Sequence, residues 1–182
     1  IDDNWRSLSA GMAWAKEGRL FAELFYKALT FSNGAPNIFP LPLLIATLVM
    51  SWALTSLTFH HFRQPTVACC LVLLPLWYNP FFLQNLTYQY DGPVMTLSVV
   101  AVIYAITFHH PSRILQWLVP SFLIALALGL YQVSINVFLG LCCLEVLRAV
   151  NDQVAWERWG GLIGWRIAQL LLGWLIYCVS AF

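Results

Sequence analysis

The feature that most constrains this chain is a succession of long apolar runs, each closed by a short polar cluster. Leu41 to Phe59 is almost purely apolar, starts around Pro40 and Pro42, and ends at His60-His61-Phe62-Arg63. Thr66 to Tyr78 follows Pro65 and leads into Asn79-Pro80-Phe81-Phe82; Pro93 to Phe108 ends at His109, His110, Pro111 and Arg113. Soluble domains carry about 25% charged residues, whereas this chain of 182 residues is 9% charged and 60% hydrophobic. A soluble fold of this size could not hide that much apolar surface. In lipid, such runs satisfy their backbone groups as helices. The fold class expected is all-α, a polytopic transmembrane helical bundle.

Gln116 to Arg148 is too long for one crossing: a single helix would extend about 50 Å. Two short helices with a tight turn near Tyr131 to Ser134 fit better. Asn151 to Gly164 then reads as a polar linker and Ile167 to Phe182 as a last span, giving about six spans in all. Basic residues support the division. With the turn in place, Arg63, Arg113, Arg148, Arg158 and Arg166 all fall on one side, which the positive-inside rule makes cytoplasmic. Residues 1–40 and the loop Tyr78 to Gly92 then face the other side. The chain begins at Ile1 with no signal-peptide pattern and stops at Phe182 in an apolar run. The expectation is a piece of a longer protein, with a first span ahead of Ile1.

Residues 1–40 read as an outer loop with interfacial helices and 41–182 as the transmembrane domain. From Trp5 to Thr30 the pattern is helical, broken near Gly18. Leu20, Phe21, Leu24, Phe25, Ala28 and Leu29 form an apolar stripe, with Arg19, Glu23 and Lys27 four apart on the opposite face, where they can pair. Such a helix lies in the membrane interface. The net charge of +1 points to no nucleic-acid partner. Cys69, Cys70, Cys142, Cys143 and Cys178 lie in apolar runs, spaced neither for zinc nor for a disulfide framework. Thr58-Phe59-His60-His61 recurs as Thr107-Phe108-His109-His110, both at inner span ends; the paired histidines read as interfacial residues rather than metal ligands. Trp77, Trp117, Trp156, Trp159 and Trp165 sit near span ends, as an aromatic belt requires.

Three acids stand out. Asp2 and Asp3 open the first helix, where one can cap it and the other, close to the bilayer surface, is costly without a task. Asp91, in Tyr88-Gln89-Tyr90-Asp91-Gly92-Pro93, either starts a helix or serves as a second acid at the same outer face. Gln132, Ser134 and Asn136 at the outer turn either bond helix to helix or contact a polar ligand. The span middles carry no charges, unlike a transporter or flippase, the rival class for a polytopic chain.

The Asp-Asp pair, the outer loop with its interfacial helix, Asn85-Leu86-Thr87-Tyr88-Gln89-Tyr90-Asp91-Gly92-Pro93-Val94-Met95 and Tyr131-Gln132-Val133-Ser134 together resemble one family. They are similar to the bacterial O-antigen glucosyltransferases of the serotype-converting kind, GT-C-type membrane enzymes. The second segment resembles that family's Asn-Leu-x-x-x-Tyr-Asp-x-x-Met pattern. The resemblance implies a sugar, glucose, taken from a polyprenyl-phosphate donor at the periplasmic face of the bacterial inner membrane. It is passed to a lipopolysaccharide O-antigen or similar glycan acceptor.

By that resemblance Asp2, Asp3 and Asp91 are the candidate catalytic acids. A carboxylate at Asp2 or Asp3 can take the acceptor hydroxyl's proton. Arg6, Lys16, Arg19 and Lys27 lie in the right loop to meet the departing phosphate. Tyr88, Tyr90 and Gln132 complete the candidate substrate-binding set with Arg6, Lys16 and Arg19. No cofactor is implied; a divalent cation held by Asp91 with the first pair is the one candidate.

Overall fold

Proline and short polar turns cut the apolar sequence into nine helices among the described residues. The computed structural model describes residues 2–153 and 156–181, with backbone alone at 2–5 and 156–159. The helices are α1 Asp2–Ser9, α2 Leu20–Thr30, α3 Leu41–His61, α4 Val67–Leu73, α5 Pro80–Leu86, α6 Asp91–Thr107, α7 Arg113–Leu130, α8 Ile135–Asn151 and α9 Trp156–Ala181. No strand occurs among the described residues. The chain is an all-helical, polytopic membrane bundle.

Four stretches are long and apolar enough to cross a membrane: Leu41–His61, Arg113–Leu130, Gln132–Asn151 and Gly160–Ala181. A further apolar pair is bent, Val67–Leu76 meeting Pro80–Leu86 at 72°, the geometry of a broken span or of a re-entrant loop. The sequence explains the bend. Pro75 lies in a 3-10 turn over Leu74–Leu76, and Asn79 caps α5 by accepting from the Phe82 amide at 2.9 Å, with Pro80 as its first residue. Helix α6 is a shorter apolar helix of 17 residues, so four helices, or five with the bent pair, have the length and composition to cross, where about six were expected. The division of Gln116 to Arg148 holds, with a 3-10 turn over Gln132–Ser134 joining α7 to α8.

The linker expected over Asn151 to Gly164 is shorter than read, because α9 already begins at Trp156. Gly160, Gly161 and Gly164 cost a helix only about 1 kcal/mol each against alanine, too little to break one this long.

Helix α6 forms the centre. It is buried along nearly all its length, with Val94, Val102, Ile103, Ala105 and Ile106 fully enclosed. Helices α3 and α7 pack against it, and α9 packs against α7. Buried hydroxyl groups inside the bundle bond back to their own helices: Thr58 to the Leu54 carbonyl, Thr96 to Gly92 and Ser98 to Met95. At the α7–α9 crossing, a Cβ on Gly173 would stand 2.7 Å from both Ile124 Cγ2 and the Ser121 carbonyl oxygen. Gly173→Val is therefore expected to force the two helices apart and destabilise the full-length protein by about 1–3 kcal/mol. Thermal unfolding in micelles, with Gly140→Ala as the control because nothing stands within 4 Å of that position, checks this.

The helix termini define two ends. One carries the 1–40 segment, the 87–90 loop and the Gln132–Ser134 turn. The other carries Arg63, Arg113 and Arg148, with Glu145 and Arg166 just inside it; the Arg158 side chain lies outside the described residues.

Candidate functional site

Gly18 sets the entry to the site. The chain runs from a 3-10 turn, Trp14–Glu17, into α2 through a left-handed residue at φ 72°, which glycine adopts without steric cost. The break near Gly18 is where the sequence put it, with a second interruption between α1 and Trp14. Past Gly18, Arg19 turns under the segment instead of standing beside Glu23. Its Nε donates to the Leu130 carbonyl at 2.9 Å, and its Nη2 lies 2.9 Å from Asp91 Oδ1. The expected Arg19–Glu23 pairing is thereby corrected. Asp91 and Glu23 are about equally exposed, at 15% and 16%, so the difference lies in position: Arg19, 8% exposed at the start of α2, reaches Asp91 and the Leu130 carbonyl together, while Glu23 is held by Lys27.

Glu23 pairs instead with Lys27 at 2.8 Å. The Lys27 hydrogen bond holds its carboxyl below the usual carboxylate range, against a small opposing effect of burial. Because the folded value is depressed, this pair's small contribution is present above the unfolded value and is lost as pH falls through the folded one.

Asp91 opens α6 and faces two donors. The Trp14 indole Nε1 donates to Oδ1 at 3.0 Å, beside the Arg19 guanidinium. Trp14 is fully buried and stacks on Tyr26, with ring centroids 5.0 Å apart and planes 9° from parallel. Tyr26 donates its hydroxyl to the Tyr90 carbonyl at 2.8 Å. The Arg6 guanidinium lies 4.2 Å from the Trp14 ring centroid and is buried, its Nε and Nη1 without hydrogen-bond partners among the described residues. On the far side, Gln132 donates to the Glu17 carbonyl at 3.1 Å, and Tyr177 of α9 donates to the Gly18 carbonyl at 3.0 Å. Residues 87–90 are tied in by Gln89, which donates to Asn37.

The expected residues therefore divide. Arg6, Arg19, Tyr90, Asp91 and Gln132 meet around Trp14 and Tyr26. Lys16 is exposed, and Tyr88 is half exposed beside a cavity of about 320 Å³ shared with Phe39 and Pro93. Asn136 is exposed, while Ser134 is buried and donates to the Tyr131 carbonyl. Asp2 and Asp3 fall in the first turn of α1; their side chains lie outside the described residues. Among the described residues no group of three or more His, Cys, Asp or Glu side chains could hold a metal ion.

Sequence reasoning missed Trp14 and Tyr26, the hub of the arrangement. It also missed Glu145 and Arg166 inside the spans at the opposite end, so the expectation of uncharged span interiors is corrected. The two are paired at 2.8 Å and each is about nine-tenths buried. His60 lies 3.3 Å from Glu145 and its ring is 5.3 Å from that of His109, so the repeated Thr-Phe-His-His motif brings its two copies together.

Beneath α2 an apolar groove of about 520 Å³ runs between Phe21, Phe25, Leu97, Tyr104 and Leu126. The Asp91 end thus combines a partly buried carboxylate and two buried guanidinium groups with an apolar groove beside them, an arrangement suited to a ligand with a polar head and an apolar tail. No solved structure matches the chain. Over 138 residues it is 28% identical to the "uncharacterized 55.3 kDa protein in gtrB 5' region" of Salmonella phage P22, a match covering 76% of this chain and 28% of that protein. The chain thus spans less than a third of that relative's length. A family model matches all of residues 1–182, and by that match the chain belongs to the glucosyl transferase GtrII family.

Proposed function

We propose that the Asp91 end is the site of a GT-C-type glycosyl transfer. A glucosyl unit passes from a polyprenyl-phosphate carrier to a lipopolysaccharide O-antigen or similar glycan acceptor, at the periplasmic face of a bacterial inner membrane. The observation that carries this reading is the Arg19 bridge between Asp91 and the Leu130 carbonyl. It pins residues 1–40 onto the spans, so that the acids of the first segment and Asp91 serve one end. The collection of Arg63, Arg113, Arg148 and Arg166 toward the other end favours a periplasmic orientation for the Asp91 end.

In this reading the acceptor hydroxyl attacks the anomeric carbon and its proton passes to the carboxylate of Asp2 or Asp3. The bond from that carbon to the phosphate oxygen breaks, and the lipid phosphate leaves with the electron pair. Arg6, whose buried guanidinium has hydrogen-bond capacity left among the described residues, and the exposed Lys16 meet the developing charge. Asp91, already engaged by Trp14 and Arg19, holds the segment in register and orients the acceptor. The groove beneath α2 has the apolar lining a prenyl chain needs.

Sugar transfer by the full-length protein in membranes tests the assignment, with Asp2→Asn, Asp3→Asn and Asp91→Asn compared at equal expression. Loss of the base is expected to slow transfer about 10²–10⁴-fold. Full activity in all three variants would remove the catalytic assignment.

A further inference from the structure

The Glu145 end holds a cavity of about 540 Å³ that the transfer reading does not use. Helix α7 lines it with Arg113, Gln116 and Trp117, helix α9 with Trp165, and the turn between α6 and α7 with His109. Its inner boundary is the Glu145–Arg166 pair, which is saturated. Arg166 Nε and Nη2 donate to the two Glu145 oxygens at 2.9 and 2.8 Å. Its remaining N–H groups go to the carbonyls of Ala105 and Ile106 and to Gln169 Oε1. Five donors are used, none is left for a ligand, and the charge is matched by Glu145.

Arg113 is different. Its side chain lines the cavity, and among the described residues it makes no ion pair or hydrogen bond. His109 lines the cavity too, its Nδ1 donating to the Thr107 carbonyl at 2.9 Å. The Trp117 and Trp165 rings lie 4.0 Å apart between centroids, and neither indole N–H is used within the described protein. The cavity therefore presents one uncompensated cation, Arg113, with Gln116 and two indole rings on the same lining, and a guanidinium so placed recognises a phosphate-bearing anion through charge-assisted hydrogen bonds. The flanking side chains face lipid: Ile114 is 69% exposed, and Leu118 and Ile167 are each 50% exposed.

We infer that this cavity binds a phosphate-bearing anion. Its position between membrane helices, with indoles at the rim, is that of a basic pocket for a phospholipid headgroup. A bound phosphate there would join α7 to α9 from the end opposite the transfer site, so the inference stands apart from the catalytic reading.

The test uses the full-length protein in phosphatidylcholine nanodiscs. Phosphatidylglycerol retention is measured by native mass spectrometry, and inorganic phosphate is titrated with indole fluorescence as the readout. Arg113→Gln is compared with Arg63→Gln, an exposed arginine at the same end that does not line the cavity. The expected result is preferential retention of phosphatidylglycerol, weakened about tenfold by Arg113→Gln, the scale of one charged hydrogen bond, and unchanged by Arg63→Gln. Saturable inorganic phosphate binding lost in Arg113→Gln, without a phosphatidylglycerol preference, assigns a soluble phosphate compound instead. Equal binding of both probes by the wild type and Arg113→Gln overturns the site.

Discussion

Glu145→Ala is expected to destabilise the full-length protein by about 3–5 kcal/mol, because it strands a buried guanidinium. Arg166→Ala should cost a similar amount for the complementary reason. It also uncovers the Ala105 and Ile106 carbonyls in the last turn of α6, which Arg166 now covers. The double change Glu145→Leu with Arg166→Met should cost less than the sum of the single changes, since no isolated charge remains. It should not reach wild type, because those carbonyls stay uncovered. Thermal unfolding in micelles, arranged as a double-mutant cycle, reads all three. Additive losses would mean that the pair does not act as a unit.

The second large effect concerns Arg19. If Asp91 organises the site rather than taking the proton, Arg19→Ala should lower sugar transfer about 10²-fold, the scale of an ångström-sized misplacement. Adding Asp91→Ala to that variant should lower it little further, because the two share one contact. A proton-accepting Asp91 behaves otherwise, with a loss that persists in the Arg19→Ala background. Initial transfer rates of the four proteins in membranes separate the cases, and full activity of Arg19→Ala would sink the organising role.

Hydropathy made the spans legible because lipid leaves so few alternatives. The turn at Gln132–Ser134 followed from length and from the placement of arginines, and the helix break at Gly18 from its composition. Side-chain partners were less visible. Arg19, Glu23 and Lys27 present a ladder at helical spacing, yet Arg19 sits at the helix start, where the backbone of Gly18 turns it toward the spans. Nothing local announces that Trp14 will reach Asp91, 77 residues away. Glu145 and Arg166 each sit alone in an apolar run, and a lone charge in such a run was itself the signal that a partner existed. The register of α8 against α9, which decides the partner, is a tertiary fact.

The brevity of α6 has a consequence for what can reach Asp91. Seventeen residues rise about 25 Å, some 5 Å less than the hydrocarbon core of a typical bilayer. Its neighbour α3 is longer, at 21 residues, so in the proposed reading the helix that carries Asp91 at its head forms a floor set below the membrane surface. A carboxylate at that depth is remote from freely diffusing sugars. In the proposed reading it is close to a molecule already moored in the leaflet by its own tail, and anchorage in the bilayer is then a condition of entry.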